Sequence, residues 1–582
     1  VTERRGGKGG GAREGAGGRR GADEARGAAR ARAGDRGSGA PSLLDAIERF
    51  AQGRGAIALL VGVAIASNAL AFDARLNTNG DNAQYLVLAE SILAGKGLAH
   101  VNTPNAEPHT KYPFLYPLAL AGVLAVLPGA LVAAKLVSTL AGIGSVLLVF
   151  LLFRARGSAL VALGAALATA VSMHILEFSH ITLAEVPYLF VSLATLVAIE
   201  RTLAAKEDRW PQLALILLGI AASYYTKSVG LALAIAAPVA FAVRRRFRAA
   251  LILLVGFGAL SFPWYLRNKE VGQENLYLDY FLMRDPYREN SGTITPPEFA
   301  KRIGVNIVKY ERFFLPNGFV PQAFTGMPGA PAVEVAVFFV PLVLAAIGIA
   351  SAIRRGYVAT ELYVIVFLVM IHMWPDVWSG TRFFLPLLPL LFAYALAGTE
   401  SIAARFAARG TARARARAGA PAEPQAVAAQ HAARPTGARM MMLTAAALLI
   451  AINALATIQE RASRRGYTPD WTNFFAAAEW IRANTPPDAI VSSRSSYILY
   501  WKTHRKTVGY RFTEEPEAVW QDLMQSGARY VLVDAFFWTG TTGRYLVPAL
   551  EAHRDRWRPV WQATREPPTF VLELLREGEA AG

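Results

Sequence analysis

Runs of apolar residues about 16–23 long recur between positions 56 and 457, separated by short turns rich in arginine and lysine. A run of that length is what a helix needs to cross a hydrocarbon core of roughly 30 Å. The chain is therefore restricted to a bundle of membrane helices. Hydrophobic residues make up 53% of its 582 positions, more than a soluble enzyme of this length carries. The net charge of +17 would suit nucleic acid. Much of it lies in two low-complexity stretches and in clusters between apolar runs, where it orients membrane helices; the expected surroundings are a lipid bilayer, with no nucleic acid. The absence of cysteine excludes disulfides, thiolate catalysis and cysteine metal sites.

Residues 1–45 are mostly Gly, Ala and Arg and are expected to be a disordered basic cytoplasmic tail. The first run, 56–72, lacks an A-x-A cleavage signature and reads as a retained signal anchor. The first outer loop is 73–112. The proline-containing stretch 113–128 is read as dipping into the interface, so that 131–153 returns Arg154 and Arg156 to the inside. Runs 158–178, 182–200, 211–226, 228–243 and 249–266 alternate from there, with basic turns inside. A large outer loop, 267–332, precedes runs 333–352, 358–374 and 383–400. Residues 401–439 are expected to be a disordered basic cytoplasmic loop and 440–457 the last transmembrane helix. The expected fold is a polytopic α-helical membrane protein of about eleven transmembrane helices plus an interfacial helix. The N-terminus is inside and the C-terminus outside.

Residues 459–582 have a different composition. "FFAAAEWIRANTPPD" and "EEPEAVWQDLMQSG" read as helices, "AIVSS" and "ARYVLVDA" as strands, and "WRPVWQAT" and "TFVLELL" as a terminal pair. The alternation predicts a small extracytoplasmic α/β domain.

Polar groups gather at the expected outer ends of the runs. Asp81 follows an Asn-Gly turn and fits a helix N-cap. After it, residues 83–94 have helical periodicity, with Tyr85, Leu88 and Ile92 on one face, predicting a helix flat on the membrane surface. Glu185 stands at the start of an apolar run, where a carboxylate ordinarily faces a cavity, and His180 lies nearby. Lys111, Arg267 and Arg382 sit beside aromatic residues and prolines, against the positive-inside bias. Cations at headgroup depth are what an anionic lipid phosphate requires. No Walker loop, dinucleotide fingerprint, H-E-x-x-H or nucleophile elbow is present.

Five segments in order, "GDNAQYLVLAESILAGKG", "HTKYPFLYPLALA", "SHITLAEVPYLF", "FPWYLRN" and "SGTRFFLPLLPLL", resemble the GT-C class of membrane glycosyltransferases over roughly residues 56–400. The likeness is greatest to bacterial aminoarabinose transferases and related polyprenyl-phosphate-sugar transferases, including protein O-mannosyltransferases. It implies transfer of a sugar from a polyprenyl phosphate to an acceptor lipid, glycan or protein on the periplasmic face of the inner (plasma) membrane. By the same resemblance Asp81 is the base or acceptor-orienting acid and Glu185 the second outer-loop acid. Lys111 contacts donor phosphate, and Arg267 and Arg382 are phosphate candidates. Tyr85, His109, Tyr112 and His180 are candidates to contact substrate. The family's usual Asp-Glu is Asp81-Asn82 here, and its lysine motif reads "KYPF". No cofactor is required; a divalent cation between Asp81 and Glu185 is a candidate. The competing reading is a transporter or flippase of a lipid-linked or anionic solute, which would favour inverted repeats and polar groups near mid-bilayer.

Overall fold

The computed structural model describes residues 42–205, 207–271, 276–288, 291–321, 331–417, 436–464, 466–536 and 540–576. Residues 1–49 and 50–582 are separate compact units. The tail expected at 1–45 lies outside the described residues up to 41, and Leu43–Gln52 is a helix. Everything below lies in the second unit.

Each apolar run is helical, because a lipid-bound segment satisfies its backbone polar groups internally only as a helix. Among the described residues six helices are long and apolar enough to cross a membrane, or seven if one bent pair is a single span. The chain is thus a multi-pass membrane protein, but the expected count of about eleven does not follow from helix length. The expected run 158–178 breaks at Ser172, which leaves helical geometry, so Ala159–Val171 and Met173–Ser179 meet at a bend of 55°. Leu115–Val126 has only 12 residues. At the other extreme, helix Leu388–Arg417 continues through 401–417, which were expected to be a disordered loop. Ala and Arg favour a helix as readily as a coil. Residues 418–435 lie outside the described set, and 436–439 open helix Thr436–Ser463.

Small residues let the helices approach closely. A Cβ on Gly398 would lie 1.9 Å from the carbonyl oxygen of Leu344, and one on Gly348 would lie 1.9 Å from that of Tyr394. Helices Pro331–Arg354 and Leu388–Arg417 therefore touch backbone to backbone.

The arginine-bearing turns gather at one end of the bundle. Arg246 donates to the carbonyl of Thr202 and to Asp208, 2.9 and 2.8 Å away. Arg156 is not the solvated orienting charge it resembles in sequence. It is buried, pairs with Glu200 and with Glu361 (2.7 Å), and donates to the Tyr394 hydroxyl at 3.0 Å.

At the opposite end lies the α/β domain. Its sheet has the order β2-β1-β3-β5-β4, from β1 (Ile490–Ser493), β2 (Lys506–Val508), β3 (Tyr530–Val533), β4 (Trp557–Gln562) and β5 (Phe570–Leu574). The first three strands pair parallel and the last two antiparallel. Helix Ser496–Thr503 and strand β2 had no counterpart in the sequence reading, because both are too short to show a period.

The helix expected at 83–94 is present as Gly80–Leu93, but it does not lie half-solvated on a surface. All residues from Asn82 to Ala89 are buried. It shares one core with Tyr116, Leu120 and Leu124 and with Ile498 and Leu499 of the α/β domain. Glu90 on this helix faces that domain. Burial pushes its carboxyl up to about 7, and a hydrogen bond with Tyr500 opposes this only in part. An acid whose folded value is raised stabilises the fold below its unfolded value near 4.5 and loses that contribution as pH rises towards 7. Glu90→Gln is expected to raise stability at pH 8 by about 1–2 kcal/mol, after allowance for partial exposure. Thermal unfolding at pH 5 and pH 8 checks it: the gap from wild type should grow with pH.

Candidate active site

Helix ends and a loop bring five charged side chains, Asp81, Lys111, Glu185, Lys227 and Arg382, together at the α/β end of the bundle. Asn79, not Asp81, caps helix Gly80–Leu93, its side chain accepting from the Asp81 N–H at 3.1 Å. The Asp81 carboxylate is thereby released from capping and faces Arg382. Glu185, fully buried, is the first residue of helix Glu185–Ala204, where a negative charge complements the helix dipole. Arg382 lies in the helical turn Thr381–Phe384.

Arg382 joins the two acids. One terminal nitrogen donates to Asp81 Oδ2 at 2.8 Å, and Nε donates to Glu185 Oε1. The same Glu185 oxygen accepts from Lys227 Nζ at 2.8 Å, whereas Oε2 has no hydrogen-bond partner among the described residues. Lys227 was missed in the sequence. It occupies the break between helices Trp210–Thr226 and Leu231–Val243, the kind of outer cation between apolar runs that singled out Lys111.

Lys111 is a cation of a different kind. It makes no ion pair or hydrogen bond among the described residues, and its ammonium stands 5.1 Å from the ring centre of Tyr112 and 5.5 Å from those of Tyr280 and Trp378. Burial lowers its pKa, the Asp81 charge opposes this, and Arg382 adds to it. For Asp81, burial alone would raise the pKa. The charges of Arg382 and Lys111 overcome that and hold it well below the usual carboxylate range.

The acid-bearing loops are locked by Asn82, the neighbour of Asp81 where the resemblance leads one to expect a second acid. Its Oδ1 accepts from the Thr182 N–H at 3.2 Å, and its Nδ2 donates to the carbonyl of Asn77 at 2.9 Å. A glutamate would accept at one end but could not donate at the other.

Other expected site residues hold the frame. His109 Nε2 accepts from the Tyr112 N–H at 2.7 Å, and its Nδ1 lies 3.2 Å from His100 Nε2. His100 Nδ1 lies 3.2 Å from the Tyr497 hydroxyl, which accepts from Gln84 at 3.0 Å. Burial lowers the pKa of both histidines. Arg267 donates to the carbonyls of His109 and Leu98 (3.1 Å for the latter) and so braces the 98–109 hairpin. Tyr85 is buried and stacks on Tyr112 with centroids 4.5 Å apart. His180 stands apart from this group. It contacts Asn68 at 3.1 Å and lines a cavity of about 540 Å³ with Asp73, Arg75, Lys135, Glu177 and Arg464.

The acid pair does not present a joint cation site, because Arg382 holds an oxygen of each carboxylate. Among the described residues no group of three or more His, Asp or Glu is placed to hold a metal.

No protein-family model matches the chain, and no curated protein matches its sequence. Solved structures do match its fold. ArnT from Cupriavidus metallidurans in the apo state aligns over 89% of this chain and 98% of its own, at 15% identity and TM-score 0.55. The same protein bound to undecaprenyl phosphate aligns over the same shares at 14% identity and TM-score 0.53. The archaeal oligosaccharyltransferase AglB from Archaeoglobus fulgidus, in complex with an inhibitory peptide and a dolichol-phosphate, aligns over 90% of this chain and 75% of its own, at 13% identity and TM-score 0.53. The chain shares its fold with ArnT and AglB.

Proposed function

We propose that the chain is a membrane glycosyltransferase. It moves a sugar from a polyprenyl phosphate to a lipid, glycan or protein acceptor on the outer face of the inner membrane. The carrying observation is Lys111, a half-buried cation with no ion pair among the described residues, set beside an acid already paired with Arg382. Such a charge is placed to take an exogenous anion, and a lipid-linked phosphodiester reaching the membrane surface supplies one. The gathering of arginine-bearing turns at the other end of the bundle supports an outer location for this site.

In the proposed reaction the acceptor oxygen attacks the anomeric carbon while the bond from that carbon to the phosphate oxygen breaks. The bonding pair leaves with polyprenyl phosphate, through an oxocarbenium-like state. Lys111 offsets the charge growing on the leaving phosphate. Asp81 accepts a hydrogen bond from the acceptor hydroxyl and orients it. With its pKa held low, Asp81 is a weak base, so the proton is transferred late and ends on the departing phosphate. Lys227 and Arg382 hold the Glu185 carboxylate and keep the acid loops in register.

Labelled sugar transfer from synthetic undecaprenyl-phosphate sugars, in membranes carrying wild type or Lys111→Ala, tests this reading. The variant should raise the donor KM by about tenfold or more without changing acceptor preference. An unchanged donor KM would overturn the assignment.

A further inference from the structure

Beside Lys111 lies an aromatic corner that the proposed reaction has not used. Tyr280, on helix Leu276–Leu282 of the large outer loop, and Trp378, on the turn Asp376–Trp378, meet nearly at right angles with centroids 5.1 Å apart and an interplanar angle of 79°. The indole is fixed by its N–H, which donates to the Tyr287 hydroxyl at 3.0 Å. Both rings are only half-buried, and both have the Lys111 ammonium at cation–π distance. Asp81 raises the pKa of Tyr280, after burial and Asp279, so that phenol is electrostatically coupled to the candidate catalytic acid.

The charges set a second constraint. Asp81 and Glu185 face Lys111, Lys227 and Arg382, which leaves a single excess positive charge. A phosphodiester carries one negative charge and balances it. The nearby acids are engaged elsewhere or exposed: Asp376 pairs with Lys309 at 3.2 Å, Glu107 accepts from Thr103, and Asp279 is exposed. His100 and His109 are held neutral by burial. Among the described residues the carboxylates nearest the corner, Asp279 included, are thus paired or screened by water, which disfavours an ammonium group on the sugar.

Resting on the function proposed above, we infer that Tyr280 and Trp378 form the donor-sugar subsite and that the sugar is an uncharged hexose or pentose. The C–H face of a sugar ring carries partial positive charge and sits against the negative face of an aromatic ring, as the ammonium does here. When a phosphate draws the Lys111 ammonium towards itself, the two ring faces become available to the sugar attached to that phosphate. The aromatic corner thus reads the group being transferred, while Lys111 reads the link that breaks.

The test is equilibrium binding to the purified full chain in detergent. The probes are undecaprenyl methyl phosphate, a sugarless diester of equal charge, and undecaprenyl phosphodiesters of glucose, mannose, arabinose and 4-amino-arabinose. For wild type, at least one neutral sugar should tighten binding about tenfold over the methyl diester, and the amino sugar should not. Trp378→Ala should erase that gain, Trp378→Phe should keep most of it, and Tyr280→Ala should reduce it. The methyl diester should bind all four proteins alike. An equal loss for the methyl diester and the sugar diesters in Trp378→Ala would overturn the subsite. Tighter binding of the amino sugar than of every neutral one would overturn the charge argument. Failure of wild type to bind any of the diesters would instead sink the glycosyltransferase reading itself. Thermal unfolding of each variant separates loss of the subsite from loss of the fold.

Discussion

Asp81→Asn is expected to lower kcat for sugar transfer by about 10³-fold while the protein stays folded. Asparagine has the same shape, and Asn79 rather than residue 81 caps the helix, so helix Gly80–Leu93 keeps its start. What is lost is the negative charge that orients the acceptor hydroxyl and balances Arg382. Donor KM should not rise, because removing a carboxylate beside Lys111 makes the site more attractive to phosphate. Radiolabel transfer in membranes measures both parameters, and equal kcat in the two proteins would remove Asp81 from the mechanism. The pH profile adds a signed check. Asp81 has a depressed pKa, so its charge is kept on acidification and lost only well below the ordinary carboxylate range. Wild-type activity at pH 5 should therefore not fall through protonation of this group.

The second large effect is expected at Arg382. Its guanidinium is the only described link between Asp81 and Glu185. Arg382→Gln leaves Glu185 fully buried with Lys227 as its one remaining cation. Breaking a buried pair from one side costs about 3–5 kcal/mol, since the stranded charge stays desolvated. Transfer should be abolished as well. The double variant Arg382→Gln/Asp81→Asn separates the two effects: the Glu185–Lys227 pair stays and the acid that lost its cation is gone, so thermal stability should largely return, and transfer should not. A single variant as stable as wild type would show that the bridge does not hold the site together.

The sequence exposed the parts of this molecule that follow from periodicity and charge sign. The apolar runs became helices because nothing else satisfies a backbone in lipid. Asp81, Glu185, Lys111 and Arg382 were visible because each violates a local rule, a charge where an apolar or neutral residue is expected. Lys227 violates the same rule and was overlooked, because it falls at a break that reads as one of many short turns. The partnerships were not legible. That Arg382 spans two acids, that Arg267 spends its donors on backbone carbonyls, and that Arg156 is buried all depend on which helix ends meet. Those meetings join positions more than 150 residues apart, beyond the reach of any local pattern. The aromatic corner was hidden for the same reason, with Tyr280 and Trp378 in separate loops.

The line of contacts from Gln84 through Tyr497, His100 and His109 to the amide of Tyr112 runs out of the 73–112 loop, into the terminal domain and back. Trimming the protein after its last membrane helix would thus not give a smaller catalyst but one with a collapsed wall. Exchange of terminal domains between distant relatives would fail for the same reason unless the 98–112 hairpin travelled with them. The two regions form one packed unit, whatever distance separates them along the chain.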